Sequence, residues 1–176
     1  MKKIIQTFPT VMLEAIIDNE EEINTKLCYE IKNLFNNKDT QKRALSQQWE
    51  DFVVSSDNHD DWHFVNSWAA VYPKGAWVPL HDHKLMEWSG VYYVSAPKDC
   101  GDIVFTDPKE YALAAEPPST RWRGNYKQKF NPTNGKLILF PSYVKHESVP
   151  NLSEEDRIII SFNINTGKEN YKFPNI

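Results

Sequence analysis

From His63 onward the chain is a succession of short β-branched and aromatic runs, each closed by a turn signal, and this constrains the fold more than any other feature. The runs cover 63–72, 76–83, 88–95, 102–106, 136–140, 143–149 and 157–164. Between them stand Pro73-Lys74-Gly75, Pro97-Lys98, Asp107-Pro108, the cluster from Asn131 to Gly135 and the acidic turn from Ser153 to Asp156. Proline removes a backbone donor, and glycine and asparagine admit left-handed backbone, so each cluster stops a strand. Short strands at this spacing predict a mainly β domain of the sandwich, barrel or jelly-roll kind.

The N-terminal part has a different period. Ile23, Leu27, Ile31, Leu34 and Phe35 recur at spacings of three and four, which predicts a helix from Asp18 to about Asn37, with Asp18 and Glu21 as a capping box. A weaker polar helix is expected across Thr40 to Trp49, and a loop from Ser55 to Asp61. The stretch from Lys109 to Pro132, with Pro117-Pro118 inside it, reads as a long irregular loop of the sort that carries function or is mobile. At 176 residues one domain over 1–176 suffices, helical over about 18–50 and barrel-like over about 63–165.

Charge and cysteine usage narrow the partners. A net charge of −4 gives no general attraction to nucleic acid or to an anionic membrane. Cys28 and Cys100 show no framework spacing, which fits a reduced protein in the cytoplasm. The apolar start at Ile4-Ile5 is broken by Gln6, Thr7 and Pro9, too early for a secretory signal, and no apolar run approaches the roughly 18 residues of a membrane span. A homodimer is compatible with the sequence.

His81 and His83 form an H-x-H pair in a run that reads as a strand, where alternation aims both imidazoles one way and Asp82 the other. Two such imidazoles grip one metal, or else sit hydrogen-bonded at a strand end. The segment from Gly135 through Phe140-Pro141 to His146 is a glycine turn, an apolar strand, a stopping proline and a further histidine. A jelly roll returning this strand beside the H-x-H pair would complete a facial set of three ligands.

Beyond it, Arg157, Ile159, Ser161 and Asn163 share one face of a strand, placing a cation, a hydroxyl and an amide toward the interior. A buried arginine needs an anion. Either a small dicarboxylate ligand spans from Arg157 to the metal, or Glu154, Glu155 or Asp156 pairs with Arg157 in a salt bridge.

Other features carry less. His59 and His63 around Asp60 and Asp61 lie in a polar loop, a weak second metal cluster. Trp68, Trp77, Trp88 and Tyr92 read as core and rim aromatics. The basic run from Arg121 to Lys129 is either a substrate-contacting loop or a solvated one. No G-x-S-x-G elbow and no glycine-rich phosphate loop occurs.

Taken in order, Ser67-Trp68, Lys74-Gly75, His81-x-His83, Trp88-Ser-Gly-Val-Tyr-Tyr93, Gly101-x-Ile-x-Phe-x-Asp107-Pro108, the Gly135 to His146 segment and Arg157-x-x-x-Ser161-Phe-Asn163 resemble the 2-oxoglutarate, Fe(II)-dependent oxygenases related to prolyl hydroxylases. The resemblance runs from about residue 63 to 164, with a looser similarity at Phe8-Pro9. It implies a double-stranded β-helix, or jelly roll, with one or two N-terminal helices packed on it. It further implies an enzyme using Fe(II), 2-oxoglutarate and O2 to hydroxylate a peptide side chain or small metabolite. On this basis His81 and His146 are metal ligands, Arg157 anchors the far carboxylate of 2-oxoglutarate, and Tyr93 and Ser161 assist it, with Asn163 a further candidate. His83 stands where the family's carboxylate ligand is expected. Glu87 is a substitute for it, because His81-x-His83-x-x-x-Glu87 with Gly135, Pro141 and His146 also resembles the two cupin motifs. A cupin-type enzyme without 2-oxoglutarate and a non-catalytic metal-binding barrel are the alternatives.

Overall fold

The computed structural model describes residues 10–36, 46–48, 62–109 and 126–166. Along the chain they form β1 (Leu13–Ile16), α1 (Glu20–Asn36), β2 (Ser46–Gln48), β3 (Trp62–Tyr72), β4 (Trp88–Ser95), β5 (Ile103–Thr106), β6 (Lys127–Phe130), β7 (Lys136–Pro141), β8 (His146–Ser148) and β9 (Arg157–Thr166). A six-stranded sheet has the order β1-β7-β4-β9-β3-β2 and a three-stranded sheet the order β6-β5-β8. All pairings are antiparallel, in the expected jelly-roll architecture.

Strand alternation explains the layering. On β4, Val91 and Tyr93 enter a core shared with Ile103 and Phe105 of β5 and with Ile138 and Phe140 of β7, so this core lies between the sheets. The residues in between turn the other way. Tyr92 and Val94 join Ala69, Ile158 and Ile160 against α1, which contributes Ile31 at 1% exposure together with Leu27, Cys28 and Phe35. The Tyr92 hydroxyl donates to Asn24 Oδ1 on the helix at 2.7 Å. Removing these side chains from water on both faces stabilises β4 and β9 as the centre of the fold.

Several expectations shift. The helix begins at Glu20, leaving Asp18 outside it and Asn19 in the left-handed region at φ 59°, and Ile23 is exposed rather than core. The 76–83 run is extended but is not a ladder strand, because Pro79 has no N–H and Val78 N–H is taken by Ser148 Oγ at 2.9 Å. Its only bridge is His81 to His146. A turn closed from Val144 N–H to Pro141 O at 2.9 Å shortens the 143–149 run to β8. β6 stands within the stretch read as irregular, and β2 within the span read as a polar helix. The rest of that helix, the 55–61 loop with His59, and Arg121 to Asn125 lie outside the described residues. Among those described, no helix is long and apolar enough to cross a membrane.

Candidate metal centre

The three histidines are brought together by backbone pairing. His81 N–H donates to His146 O at 2.9 Å and His146 N–H to His81 O at 2.8 Å, while His83 N–H donates to Ser142 O at 3.0 Å. This sets the rings of His81 and His146 4.2 Å apart, with His83 at 5.1 Å and 5.2 Å from them. One nitrogen from each lies within 4.8 Å of the others. The histidine ring planes of His83 and His146 are stacked at 16°, and Trp68 backs His83 at 5.8 Å.

Which nitrogen is available follows from the second partner of each ring. His81 Nδ1 is 2.8 Å from Pro79 O and His146 Nδ1 is 3.0 Å from Val144 O. A nitrogen facing a carbonyl must carry the proton, which leaves the Nε2 lone pair free to bind a metal. Burial disfavours the imidazolium form of His146 and pushes its pKa down to about 3, with His81 and His83 adding to the fall. Burial, and then the charge of His81, lowers His83 as well. His83 and His146 are therefore held toward the neutral imidazole, the form a metal requires.

Beside it lies a cavity of about 110 Å³ between the sheets, with Arg157 in its wall. The arginine is 2% exposed. Its Nη1 donates to Cys100 O at 2.7 Å, Gly101 O at 3.2 Å and Val149 O at 3.3 Å, and Nη2 donates to Ser148 Oγ at 3.0 Å. Tyr72 lies beneath it, ring centroid to Cζ 4.7 Å. No carboxylate among the described residues pairs with it. The expected alternative, a bridge to Glu154, Glu155 or Asp156, does not form, since Glu154 reaches out to Lys74 in solvent. A buried guanidinium opposed only by carbonyl dipoles and a hydroxyl favours an incoming anion.

Of the remaining predicted residues, Tyr93 and Ser161 line this cavity. Tyr93 is 3% exposed, and burial drives its hydroxyl far above the ordinary tyrosine range, so it stays protonated and able to donate. Asn163 does not line the cavity. Its Oδ1 accepts from Ser89 Oγ at 2.7 Å and its Nδ2 donates to Asn66 Oδ1 at 2.7 Å, which occupies the amide away from any ligand. Glu87, read as a substitute ligand, is not among the residues grouped with the histidines: it is exposed, and its Oε2 accepts from Thr166 N–H at 3.0 Å and Thr166 Oγ1 at 2.5 Å. It thus closes the end of β9 instead of joining the histidines. His63 sits on β3 opposite Asn165, apart from them. Sequence reasoning missed the carbonyls of Pro79, Val144, Cys100 and Gly101, because a backbone acceptor leaves no trace in residue type.

Comparison with known proteins bears on the family and the fold. Residues 66–163 match a family described as "Putative 2OG-Fe(II) oxygenase". No curated protein sequence matches the chain. Among solved structures, the non-heme alpha ketoglutarate dependent carbocyclase SnoK from nogalamycin biosynthesis superposes with a TM-score of 0.64 at 8% identity, over 90% of this chain and 80% of that one. HygX from Streptomyces hygroscopicus, with nickel and 2-oxoglutarate bound, gives 0.62 at 12% identity over 92% and 84%. A Pseudomonas putida prolyl-4-hydroxylase gives 0.60 at 15% identity over 91% and 86%.

Proposed function

The chain belongs to the 2OG-Fe(II) oxygenase family, with Fe(II) and 2-oxoglutarate as its cofactors, and from that premise we propose that His81, His83 and His146 hold the metal while Arg157 binds the distal carboxylate of the cosubstrate. The observation that carries this reading is a buried arginine with no carboxylate partner among the described residues, in the wall of the cavity that the three histidines also line. Iron and 2-oxoglutarate together supply the O2 chemistry that oxidises an unactivated C–H bond, here by hydroxylation of a peptide side chain or small metabolite.

The chain's own residues supply binding and exclusion of water. Arg157 donates charge-assisted hydrogen bonds from a fixed position, since its other N–H groups are already held by carbonyls. Tyr93 and Ser161 place hydroxyls along the same wall, to which Val91, Phe140 and Ile159 add apolar surface. Burial of the guanidinium away from water strengthens its attraction for a carboxylate. Pro79 and Val144 fix the tautomers of His81 and His146, so binding a metal there requires no proton rearrangement. His83 makes the ligand set neutral, which leaves the bound metal one charge more positive than a histidine-histidine-carboxylate set would. The free thiols Cys28 and Cys100 suit a cytoplasmic setting.

Calorimetric titration with Co(II) and then 2-oxoglutarate tests the assignment. His146→Ala is expected to abolish metal binding. Arg157→Lys keeps the charge but loses the fork, and Arg157→Ala loses both. Each should keep Co(II) binding and weaken 2-oxoglutarate, the alanine by about thirtyfold, the equivalent of about 2 kcal/mol for a charged hydrogen bond. Cosubstrate affinity unchanged in both Arg157 variants would contradict the anchor, and no succinate from any substrate would point to a cupin-type enzyme.

A further inference from the structure

The inner face of the large sheet ends in a row of polar side chains that do not line the cavity, three of them buried and the fourth, Asn66, half-buried. Ser142 follows the end of β7, Ser89 is on β4, Asn163 on β9 and Asn66 on β3, which are neighbours in that order in the sheet. Register places Ser89 opposite Asn163 and Asn163 opposite Asn66. Ser142 is 0% exposed, Ser89 1% and Asn163 3%. Ser89 Oγ donates to Asn163 Oδ1 at 2.7 Å, so the 2.6 Å contact between the serines must be a bond donated by Ser142. Asn163 Nδ2 passes the direction on to Asn66 at 2.7 Å. The result is a chain of donors running one way across the sheet, a pattern in which each bond polarises the next.

The near end of this chain is where the histidines are set. Ser142 O accepts the backbone N–H of His83, and Ser142 N–H donates to Glu87 O at 3.0 Å, so one residue fixes both ends of the segment from His83 to Glu87. Ser142 also lies in the turn from Pro141 to Val144, whose last carbonyl holds the His146 ring. Four buried or half-buried polar side chains in a β core are costly unless each is satisfied, and their saturation here argues for a positional task.

We propose that Ser89, Ser142 and Asn163 are positioning residues for the metal centre, holding His83 in register with His146 through the backbone of Ser142. The inference rests on the three-histidine reading above. It adds that the fidelity of the set depends on a side-chain row that makes no hydrogen bond to its rings.

Co(II) titration followed by d–d absorption separates the two. Ser89→Ala should weaken Co(II) by about ten- to a hundredfold, the usual range for residues supporting metal ligands, and should change the band shape. Asn66→Ala, at the far and partly accessible end, should give a smaller loss in the same sense and covers the case in which Ser89→Ala does not fold. Tyr92→Phe is the control, because it removes a hydrogen bond from the opposite face of the same strand. It should leave affinity and spectrum as in the wild type. Wild-type affinity and spectrum in both Ser89→Ala and Asn66→Ala, or an equal loss in Tyr92→Phe, would overturn the inference alone. A wild-type protein that takes up no Co(II), or a His83→Ala variant that binds it unchanged, would remove the three-histidine reading and this inference with it.

Discussion

Gly101 contributes one of the carbonyls around Arg157 and has a left-handed backbone at φ 88°. A Cβ there would stand 2.3 Å from Val149 O and 2.7 Å from Pro150 O, both backbone atoms that cannot rotate away. Gly101→Ala should therefore cost about 2 kcal/mol or more, the left-handed penalty for an L-residue plus the displacement of the 149–150 backbone. Urea unfolding measures the loss. Because Val149 O also holds Arg157, the folded variant should bind 2-oxoglutarate more weakly while keeping its Co(II) affinity; equal weakening of both would show general loosening instead. At this scale the sequence was most informative where chemistry sits in side chains: His81, His83, His146 and Arg157 were all legible, and they do share one cavity wall. The surroundings of Asn163 were not, since a polar residue on an inner strand face can turn to a ligand or to polar residues on the adjacent strands, here Ser89 and Asn66, and only the cross-strand register decides.

Helix α1 covers the side of the large sheet opposite the site, and its buried stripe centres on Ile31 against Ala69, Val94 and Ile158. Ile31→Ala should lower stability by about 2–5 kcal/mol, as for other buried aliphatic truncations, yet leave Co(II) and 2-oxoglutarate affinities of the folded protein unchanged. A variant that loses ligand affinity in parallel would make the helix part of the site rather than its cover. This helix was readable because spacings of three and four persist along it. β4 and β9 were readable because both of their faces are packed, which produces long β-branched and aromatic runs. The edge elements were not: β1, β2 and β6 are short, and Lys127, Gln128 and Lys129 look like loop composition because an edge strand needs little burial. In 76–83 the pattern misled in the opposite direction: Val78 lines the cavity, but Trp77 and Leu80 are exposed and Pro79 has no N–H to give to a ladder.

At the scale of the molecule, the site joins parts that the chain itself connects only at a distance. His81 and His83 lie on the connection between β3 and β4, His146 is on β8 of the small sheet, and Arg157 is on β9 of the large one. Apart from the core around Phe105 and Phe140, the His81 to His146 bridge is one of the ties between these parts. A ligand that contacts the histidines and Arg157 together must then stabilise the whole fold, because it binds the native arrangement and not the unfolded chain. At a hundred times its dissociation constant such a ligand contributes about 2.7 kcal/mol. For a domain of 176 residues that corresponds to a rise in Tm of roughly 5–10 °C. Thermal unfolding should show one increment with Co(II), a further one when 2-oxoglutarate is added, and a return to the starting value with a chelator. In Arg157→Lys the first increment should persist and the second shrink, because only the second depends on the guanidinium fork. Two increments of unchanged size in that variant would mean that the cosubstrate carboxylate is held elsewhere, and the buried cation would then be a structural tie between β9 and the Cys100-Gly101 and Ser148-Val149 segments.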